Sequence, residues 1–133
     1  MPAISFTIVP AYAALLGILY LALTFAVIGN RYRLKVSLGD GGDERLNRVI
    51  RGHGNFAEYV PLSLLLLAFA EIGGSEAVVL HLGGLALLTG RLLHGYALAL
   101  TLGNMLARRY GMILTIASLV IGIGACLSIS MGA

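Results

Sequence analysis

The stretch RVIRGHGNFAEYVPLSLLLLAFA, residues 48–70, decides what kind of fold this chain adopts. Its first half carries five polar side chains whose spacing puts them on one face of a helix, and its second half, from Leu62 to Ala70, is apolar apart from Ser63. At about 100° per residue the five fall within an arc of roughly 100°, so they share one face of a helix. In a membrane-spanning helix a charged side chain costs at least about 2.5 kcal/mol, so this face must turn toward other helices or a water-filled cleft. The five residues are Arg48, Arg51, Asn55, Glu58 and Tyr59.

The composition of the whole chain indicates a membrane protein. Of its 133 residues 59% are hydrophobic and 11% are charged, whereas a typical globular protein is about a quarter charged. Residues 1–30 and 110–133 contain no Asp, Glu, Lys or Arg, and each segment exceeds the roughly 20 apolar residues that cross a bilayer as a helix. The first segment lacks the basic start and the short apolar region of a cleaved signal peptide. We therefore expect it to stay in the mature protein.

Four apolar segments predict an all-α membrane protein, a bundle of four transmembrane helices in one membrane domain, residues 1–133. The helices are expected at about 5–29, 46–71, 77–100 and 109–130. Six of the nine basic residues lie between Arg31 and Arg51, and two more are the pair Arg108 and Arg109. Because Lys and Arg accumulate in cytoplasmic loops, we expect these loops inside and both termini outside. Nucleic acid is not an expected partner, since its binding needs a basic face on a folded soluble domain.

Three smaller features predict structure rather than chemistry. The Gly39–Glu44 loop lacks the spacing of a calcium loop and the Gly-Lys-Ser/Thr ending of a nucleotide loop, and it predicts a turn before an acidic first helical turn. Cys126 is the only cysteine, so we expect no internal disulfide and no metal site. Ser118, Gly122 and Ser130 recur with Cys126 at every fourth position, which predicts a ridge of small residues for close helix packing.

Two interpretations of the polar face stay open at this point. One is a structural ion-pair network, Arg51 with Glu58 or Glu58 with Arg91 of the third helix, although buried ion pairs are weak stabilisers. The other is a ligand site, because intramembrane ionisable residues are functional by default. Guanidinium groups bind carboxylates in a bidentate manner, and Glu58 accepts an ammonium group. The face therefore suits a small solute that carries both groups.

The same residues resemble a known family. The chain is similar to the membrane-associated proteins in eicosanoid and glutathione metabolism, the MAPEG family, and looks most like its bacterial members. The resemblance implies a homotrimer of four-helix bundles in the bacterial inner membrane, with glutathione bound between neighbouring subunits near the cytoplasmic side. The second-helix signature that carries it is Arg48-x-x-Arg51-x-x-x-Asn55-x-x-Glu58-Tyr59-x-Pro61, followed by a Leu-rich run.

The resemblance also implies an activity and its residues. Members are glutathione transferases and peroxidases, so the implied cofactor is glutathione and the implied co-substrate is a lipophilic molecule from the bilayer. Arg108, in the frame Arg108-x-x-Gly111, is the implied catalytic residue, because a cation and a helix N-terminus lower the pKa of a thiol from about 8.5. Arg109 is the competing choice, and either arginine also serves to mark the cytoplasmic end. The residues expected to bind glutathione are Arg48, Arg51, Asn55, Glu58, Tyr59, Arg91 and His94.

The third helix departs from part of the family, and other functions stay open. His94 and Leu98 stand where leukotriene-C synthases present tyrosines toward glutathione, so His94 is either a hydrogen-bonding site residue or a structural histidine. A non-catalytic membrane ligand-binding trimer is one alternative. A small multidrug exporter is another, but its proton exchange needs a carboxylate in the first helix, which has none. The arginines that flank Glu58 hold that carboxylate ionised, so it does not replace the missing one.

Overall fold

The computed structural model describes residues 4–133 and consists of four long α-helices. All four are long and apolar enough to cross a membrane. Their outer surfaces carry large exposed apolar side chains, for example Ile18, Phe25 and Val120, which suit contact with lipid. The prediction of an all-α, multi-pass membrane protein is therefore confirmed. The helices are α1 (Ile8–Leu34), α2 (Glu44–Ile72), α3 (Ala77–Ala99) and α4 (Met105–Ser130).

The first helix runs further toward the loop between α1 and α2 than predicted. It ends at Leu34 rather than near residue 29, so Arg31 and Arg33 lie in its last turn, where cations interact favourably with the free carbonyl groups. Lys35 then adopts a left-handed conformation with φ of 55° and ends the helix. Arg31 also closes the loop, because its Nη1 donates a hydrogen bond to the Gly39 carbonyl at 2.8 Å.

Side-chain caps set the start of α2 and α4. The Asp43 carboxylate accepts from the backbone N–H of Leu46 at 2.8 Å, so α2 begins directly after the glycine-rich turn. The Asn104 side chain accepts from Ala107 N at 3.0 Å and satisfies one of the free donors of the first turn of α4. α4 therefore begins at Met105 rather than at residue 109.

α3 and α4 approach each other through two glycines. A Cβ atom on Gly90 would lie 2.8 Å from the Gly111 carbonyl oxygen, and one on Gly111 would lie 2.7 Å from His94 N. Neither position has room for a side chain, so the two helix backbones touch, as small residues permit in membrane proteins. α2 contacts the other three helices, whereas α1 packs on α2 and α3.

The predicted ridge of small residues on α4 lies against the neighbouring helices over most of its length. Ser118 Oγ donates to the Gly83 carbonyl of α3 at 2.7 Å. Cys126 Sγ donates to the Leu66 carbonyl of α2 at 3.2 Å, and Gly122 also packs on Leu66. Ser130, the last member, is exposed. The ridge thus has the packing role that its spacing predicts, from Ser118 to Cys126.

A buried carboxylate of α2 caps the first turn of α1. Glu71 Oε1 accepts from the backbone N–H groups of Thr7 and Ile8, and Oε2 accepts from that of Val9, each at 2.7 Å. The side chain is 7% exposed. The negative charge also interacts favourably with the positive end of the α1 dipole. One side chain therefore joins the N-terminal end of α1 to the C-terminal end of α2.

Candidate functional site

The predicted polar face of α2 places two charged side chains on the surface of the helix bundle, on a helix long and apolar enough to cross a membrane. α2 has 29 residues, about 43 Å at 1.5 Å per residue. Glu58 is its central residue, and Arg51 lies about two turns closer to the N-terminal end of the helix. Both side chains are exposed. Because lipid does not solvate such groups, this face needs water or another polar surface from outside the subunit.

Asn55, between these two charges, holds a buried arginine of α3. Arg91 is 1% exposed, and its Nη1 donates to Asn55 Oδ1 at 2.8 Å. The guanidinium lies over the Phe56 ring, 5.6 Å from the ring centroid, where it gains cation–π attraction. Arg91 Nε is a buried donor that has no hydrogen-bond partner among residues 4–133. The polar face of α2 is thus continuous with a buried positive charge in the bundle.

His94 lies one turn beyond Arg91 on the same helix and extends the cluster toward α4. Arg91 Nη2 is 3.3 Å from His94 Nδ1, and Arg91 Nη1 is 3.9 Å from the Met112 sulfur of α4. The ring of His94 is almost fully buried, and Arg108 lies within electrostatic range of it. Tyr59 likewise lies within electrostatic range of Arg91. Residues from α2, α3 and α4 therefore converge here.

The side chain of Arg48, another predicted site residue, is hydrogen-bonded to carbonyl groups at the C-terminal end of α3. Its Nη2 donates to the Ala97 carbonyl at 2.9 Å, and its Nε donates to the Thr101 carbonyl at 3.2 Å. These carbonyls lie at the helix C-terminus, where cationic side chains satisfy unpaired acceptors. Two donor groups of Arg48 are thus used within the subunit.

Arg108 and Arg109 both lie near the start of α4, and both are exposed. They differ by about 100° in azimuth, so they point in different directions. Arg108 precedes Met112 by one turn on the same side of α4, and its charge lies within electrostatic range of His94. Arg108 therefore lies on the side of α4 that carries Met112, whose sulfur contacts Arg91.

The ion-pair interpretation of the polar face is not what the structure shows. Arg51 and Glu58 are separated by about 10 Å along the helix axis, too far for a direct pair. Arg91 hydrogen-bonds to Asn55 and His94 instead of Glu58. Within residues 4–133 neither predicted ion pair forms.

Sequence reasoning missed two neighbours of this cluster, Phe56 and Met112. Phe56 follows Asn55 directly and forms one side of the Arg91 pocket. It also stacks on Tyr20 of α1 with 5.2 Å between the ring centroids. Met112 follows Arg108 at the i, i+4 spacing that puts two side chains on one helix face. That spacing was the available signal for Met112, whereas nothing in the sequence distinguishes Phe56 from an ordinary core residue.

Comparison with known proteins gives a family match and two relatives. The model described as "MAPEG family" matches residues 9–128, a span that includes the polar face, Arg91, His94 and Arg108. Inner membrane protein YecN of Escherichia coli strain K12 is 41% identical over 85 residues, 64% of this chain and 65% of that protein. The protein of the same name from Escherichia coli O6:H1 gives the same values. The aligned region thus spans less than two thirds of the length of either relative.

Proposed function

The chain belongs to the MAPEG family, and from this membership we propose that it is a membrane-bound glutathione transferase or peroxidase. It conjugates a lipophilic electrophile to glutathione, or reduces it with glutathione, at a site between the subunits of a homotrimer. We place it in the bacterial inner membrane, the location that the name of the Escherichia coli relative states for that protein.

The observation that carries the proposal is the exposed pair Arg51 and Glu58 on a helix long and apolar enough to span a membrane. Such charges are tolerated where they face a second subunit or a polar ligand, and glutathione offers matching groups. Its two carboxylates suit guanidinium groups, and its ammonium group suits the Glu58 carboxylate. In the described part of the chain Arg91 has an unpartnered Nε and no carboxylate among its hydrogen-bond partners, which also favours an anionic ligand.

Different residues of the chain bind glutathione and activate its thiol. Arg51, Asn55, Glu58 and Tyr59 hold the peptide part of the ligand on the α2 face. Glutathione supplies the sulfur nucleophile, which must be a thiolate to react. Arg108, beside the first turn of α4, stabilises that negative charge together with the helix N-terminus. The lipophilic co-substrate reaches the site from the bilayer.

One observation favours a second candidate, a non-catalytic ligand-binding trimer. Leu98, where leukotriene-C synthases carry a tyrosine, is 3% exposed and packs on Gly52 of α2. It offers no hydrogen bond and no access to a ligand. A site that lacks this contact binds a peptide without necessarily activating its thiol, so binding and thiolate formation need separate measurements.

The test is glutathione binding to the detergent-purified protein by equilibrium dialysis. Arg51→Ala and Glu58→Ala should each raise Kd about tenfold to a hundredfold, since a hydrogen bond to a charged group contributes about 1.5–3 kcal/mol. Arg45→Ala, at an exposed position of the same helix, is the matched control and should bind as the parent does. Unchanged binding in both site variants, with a less stable assembly, would refute the ligand site.

Ultraviolet absorbance of the thiolate then separates the two candidate functions. A transferase or peroxidase should show bound thiolate at neutral pH, whereas a binding trimer should show bound thiol only. Native mass spectrometry in mild detergent tests the assembly, and monomers or dimers alone would contradict the trimer.

A further inference from the structure

One face of α1 carries a stripe of exposed side chains that is apolar at first and ends in a tyrosine and a lysine. Its members follow one another by three or four residues, the spacing that places side chains on one face of a helix. All of them are exposed; Phe25 is 65% exposed and Tyr32 is 82% exposed. Residues 4–133 therefore leave this face uncovered. We call Ile18, Leu21, Phe25, Ile28, Tyr32 and Lys35 the α1 stripe.

The order of side chains along the α1 stripe matches the order of chemical groups in one leaflet of a membrane. From Ile18 to Tyr32 the helix rises about 21 Å at 1.5 Å per residue, which exceeds the roughly 15 Å of hydrocarbon in one leaflet. The apolar members come first, and the tyrosine follows, a residue that favours the membrane–water interface. Lys35, the last member, then falls at the level of the phosphate groups. A lipid acyl chain fits along the apolar members while its headgroup reaches Lys35.

A cavity of about 330 Å³ lies at the charged end of the α1 stripe. The residues that line it are Arg31, Tyr32, Lys35, Val36 and Ser37. Two hydrogen bonds hold the turn around it, because Arg31 Nη1 donates to the Gly39 carbonyl at 2.8 Å and Val36 N donates to the Arg31 carbonyl at 3.1 Å. The left-handed conformation of Lys35, with φ of 55°, turns the chain at this point. The cavity thus belongs to a turn that is closed by its own hydrogen bonds.

The charge at this cavity is positive. Arg31 and Lys35 line it, and no carboxylate does. Two acidic residues of the following loop bind backbone groups instead, since Asp40 accepts from a loop N–H at 2.9 Å and Asp43 caps α2. Clusters of Lys and Arg beside a spanning helix attract anionic lipids. The ammonium group of a zwitterionic headgroup finds no carboxylate in the cavity, so the charge favours a headgroup that is an anion overall.

We propose that the α1 stripe and the cavity at its charged end bind one anionic phospholipid. Lys35 and Arg31 contact its phosphodiester, and an acyl chain lies along the apolar members from Ile18 to Ile28. The apolar members distinguish a lipid from a free phosphate ion, which has nothing to bury against them. This inference is independent of the proposed function, because none of these residues belongs to the polar face of α2 or to the cluster around Arg91.

The headgroup is tested by native mass spectrometry of the delipidated protein in mild detergent, with phosphatidylglycerol or phosphatidylcholine of the same acyl chains. Lys35→Asn removes a charge but keeps a residue type that tolerates the left-handed conformation. It should weaken phosphatidylglycerol binding about fivefold and leave phosphatidylcholine binding unchanged, and Lys35→Arg should restore it. Arg33→Gln is the matched control, because Arg33 is exposed at the same helix end but does not line the cavity. It should bind phosphatidylglycerol as the parent does.

The acyl-chain contact is tested in the same assay with Phe25→Ala, which shortens a central member of the α1 stripe. This variant should weaken the binding of both lipids alike, because both carry the same chains. Phe69→Ala is the matched control, since Phe69 is an exposed phenylalanine of α2 outside the stripe, and it should bind both lipids as the parent does.

Four results would overturn the proposal or part of it. If Arg33→Gln weakens phosphatidylglycerol binding as much as Lys35→Asn does, the attraction is that of a general positive surface. If the parent binds both lipids equally, the cavity does not recognise an anionic headgroup. If excess inorganic phosphate displaces phosphatidylglycerol, the cavity is a site for free phosphate. If Phe25→Ala binds lipid as the parent does, the stripe is not part of the site, and a smaller assembly of that variant would show that a second copy covers it.

Discussion

Glu71 gives the sharpest stability prediction, because one carboxylate accepts three backbone N–H groups of α1 at 2.7 Å each. Replacing it with alanine leaves the donors of Thr7, Ile8 and Val9 without this acceptor. The bond to Val9 is buried, whereas the other two are part-buried and accessible to replacement by water. The loss is about 1–3 kcal/mol for the buried donor and about 1 kcal/mol for each of the other two. Glu71→Ala should therefore lower the free energy of unfolding by about 3–5 kcal/mol.

Glu71→Gln should lie between the parent and Glu71→Ala. Its amide oxygen keeps the acceptor position for Thr7 and Ile8, but its NH₂ group faces the Val9 N–H, donor against donor. We expect Glu71→Gln to lower the free energy of unfolding by about half as much as Glu71→Ala does. Glu76→Ala is the control, since Glu76 is exposed and makes no side-chain cap at the start of α3, and it should stay within about 0.5 kcal/mol of the parent.

The assay is reversible unfolding in mixed detergent micelles, followed by circular dichroism, with hydrogen exchange of the first α1 amides as a local readout. Glu71→Ala should unfold earlier and exchange faster at residues 7–9. If Glu71→Ala and Glu76→Ala have the same unfolding midpoint, and the amides of residues 7–9 keep their protection from exchange, the cap does not stabilise the protein as its geometry indicates.

Three further predictions follow from the helix packing and from the start of α4. Gly111→Ala places a Cβ 2.7 Å from His94 N and should destabilise the bundle by about 1–3 kcal/mol in the same unfolding assay; Gly124→Ala, with nothing within 4 Å, should not. Arg108→Leu should keep glutathione binding but raise the pH at which thiolate absorbance appears, whereas Arg109→Leu should leave the titration unchanged; the reverse result would assign activation to Arg109. Reporter fusions should place the C-terminus outside the cytoplasm, and a cytoplasmic reporter signal would contradict this orientation.

Helix number and the polar face of α2 were accessible from the sequence because both depend on local periodicity. Charge-free segments define spans whatever their neighbours are, and the 100° rotation per residue puts Arg51, Asn55 and Glu58 on one side before any packing is known. The helix ends were less accessible. Arg31 and Arg33 suggest a loop by charge, yet they lie within α1 because its C-terminal carbonyls favour cations.

Contacts between distant residues were not accessible, because they depend on the register in which helices pack. The direction of Arg48 on the helix predicts a ligand-binding residue. In the structure its guanidinium donates hydrogen bonds to carbonyl groups at the end of α3. Glu71 caps α1 from more than 60 residues away, a contact that its position in the sequence does not indicate. In both cases a charged side chain near a helix end finds backbone groups of another helix, which a single-helix projection does not include.

The placement of the candidate chemistry depends on the glycines as much as on the charged residues. Arg91 and His94 are buried because α3 lies against α4, and that approach exists because Gly90 and Gly111 have no side chains. A larger residue at Gly111 pushes α4 away from His94, and it also moves Arg108, which lies one turn earlier on the same helix. The frame Arg108-x-x-Gly111 therefore joins the proposed activating cation to the contact that holds its neighbour His94. Any change that separates α3 from α4 should lower thiolate formation even when every polar residue is kept.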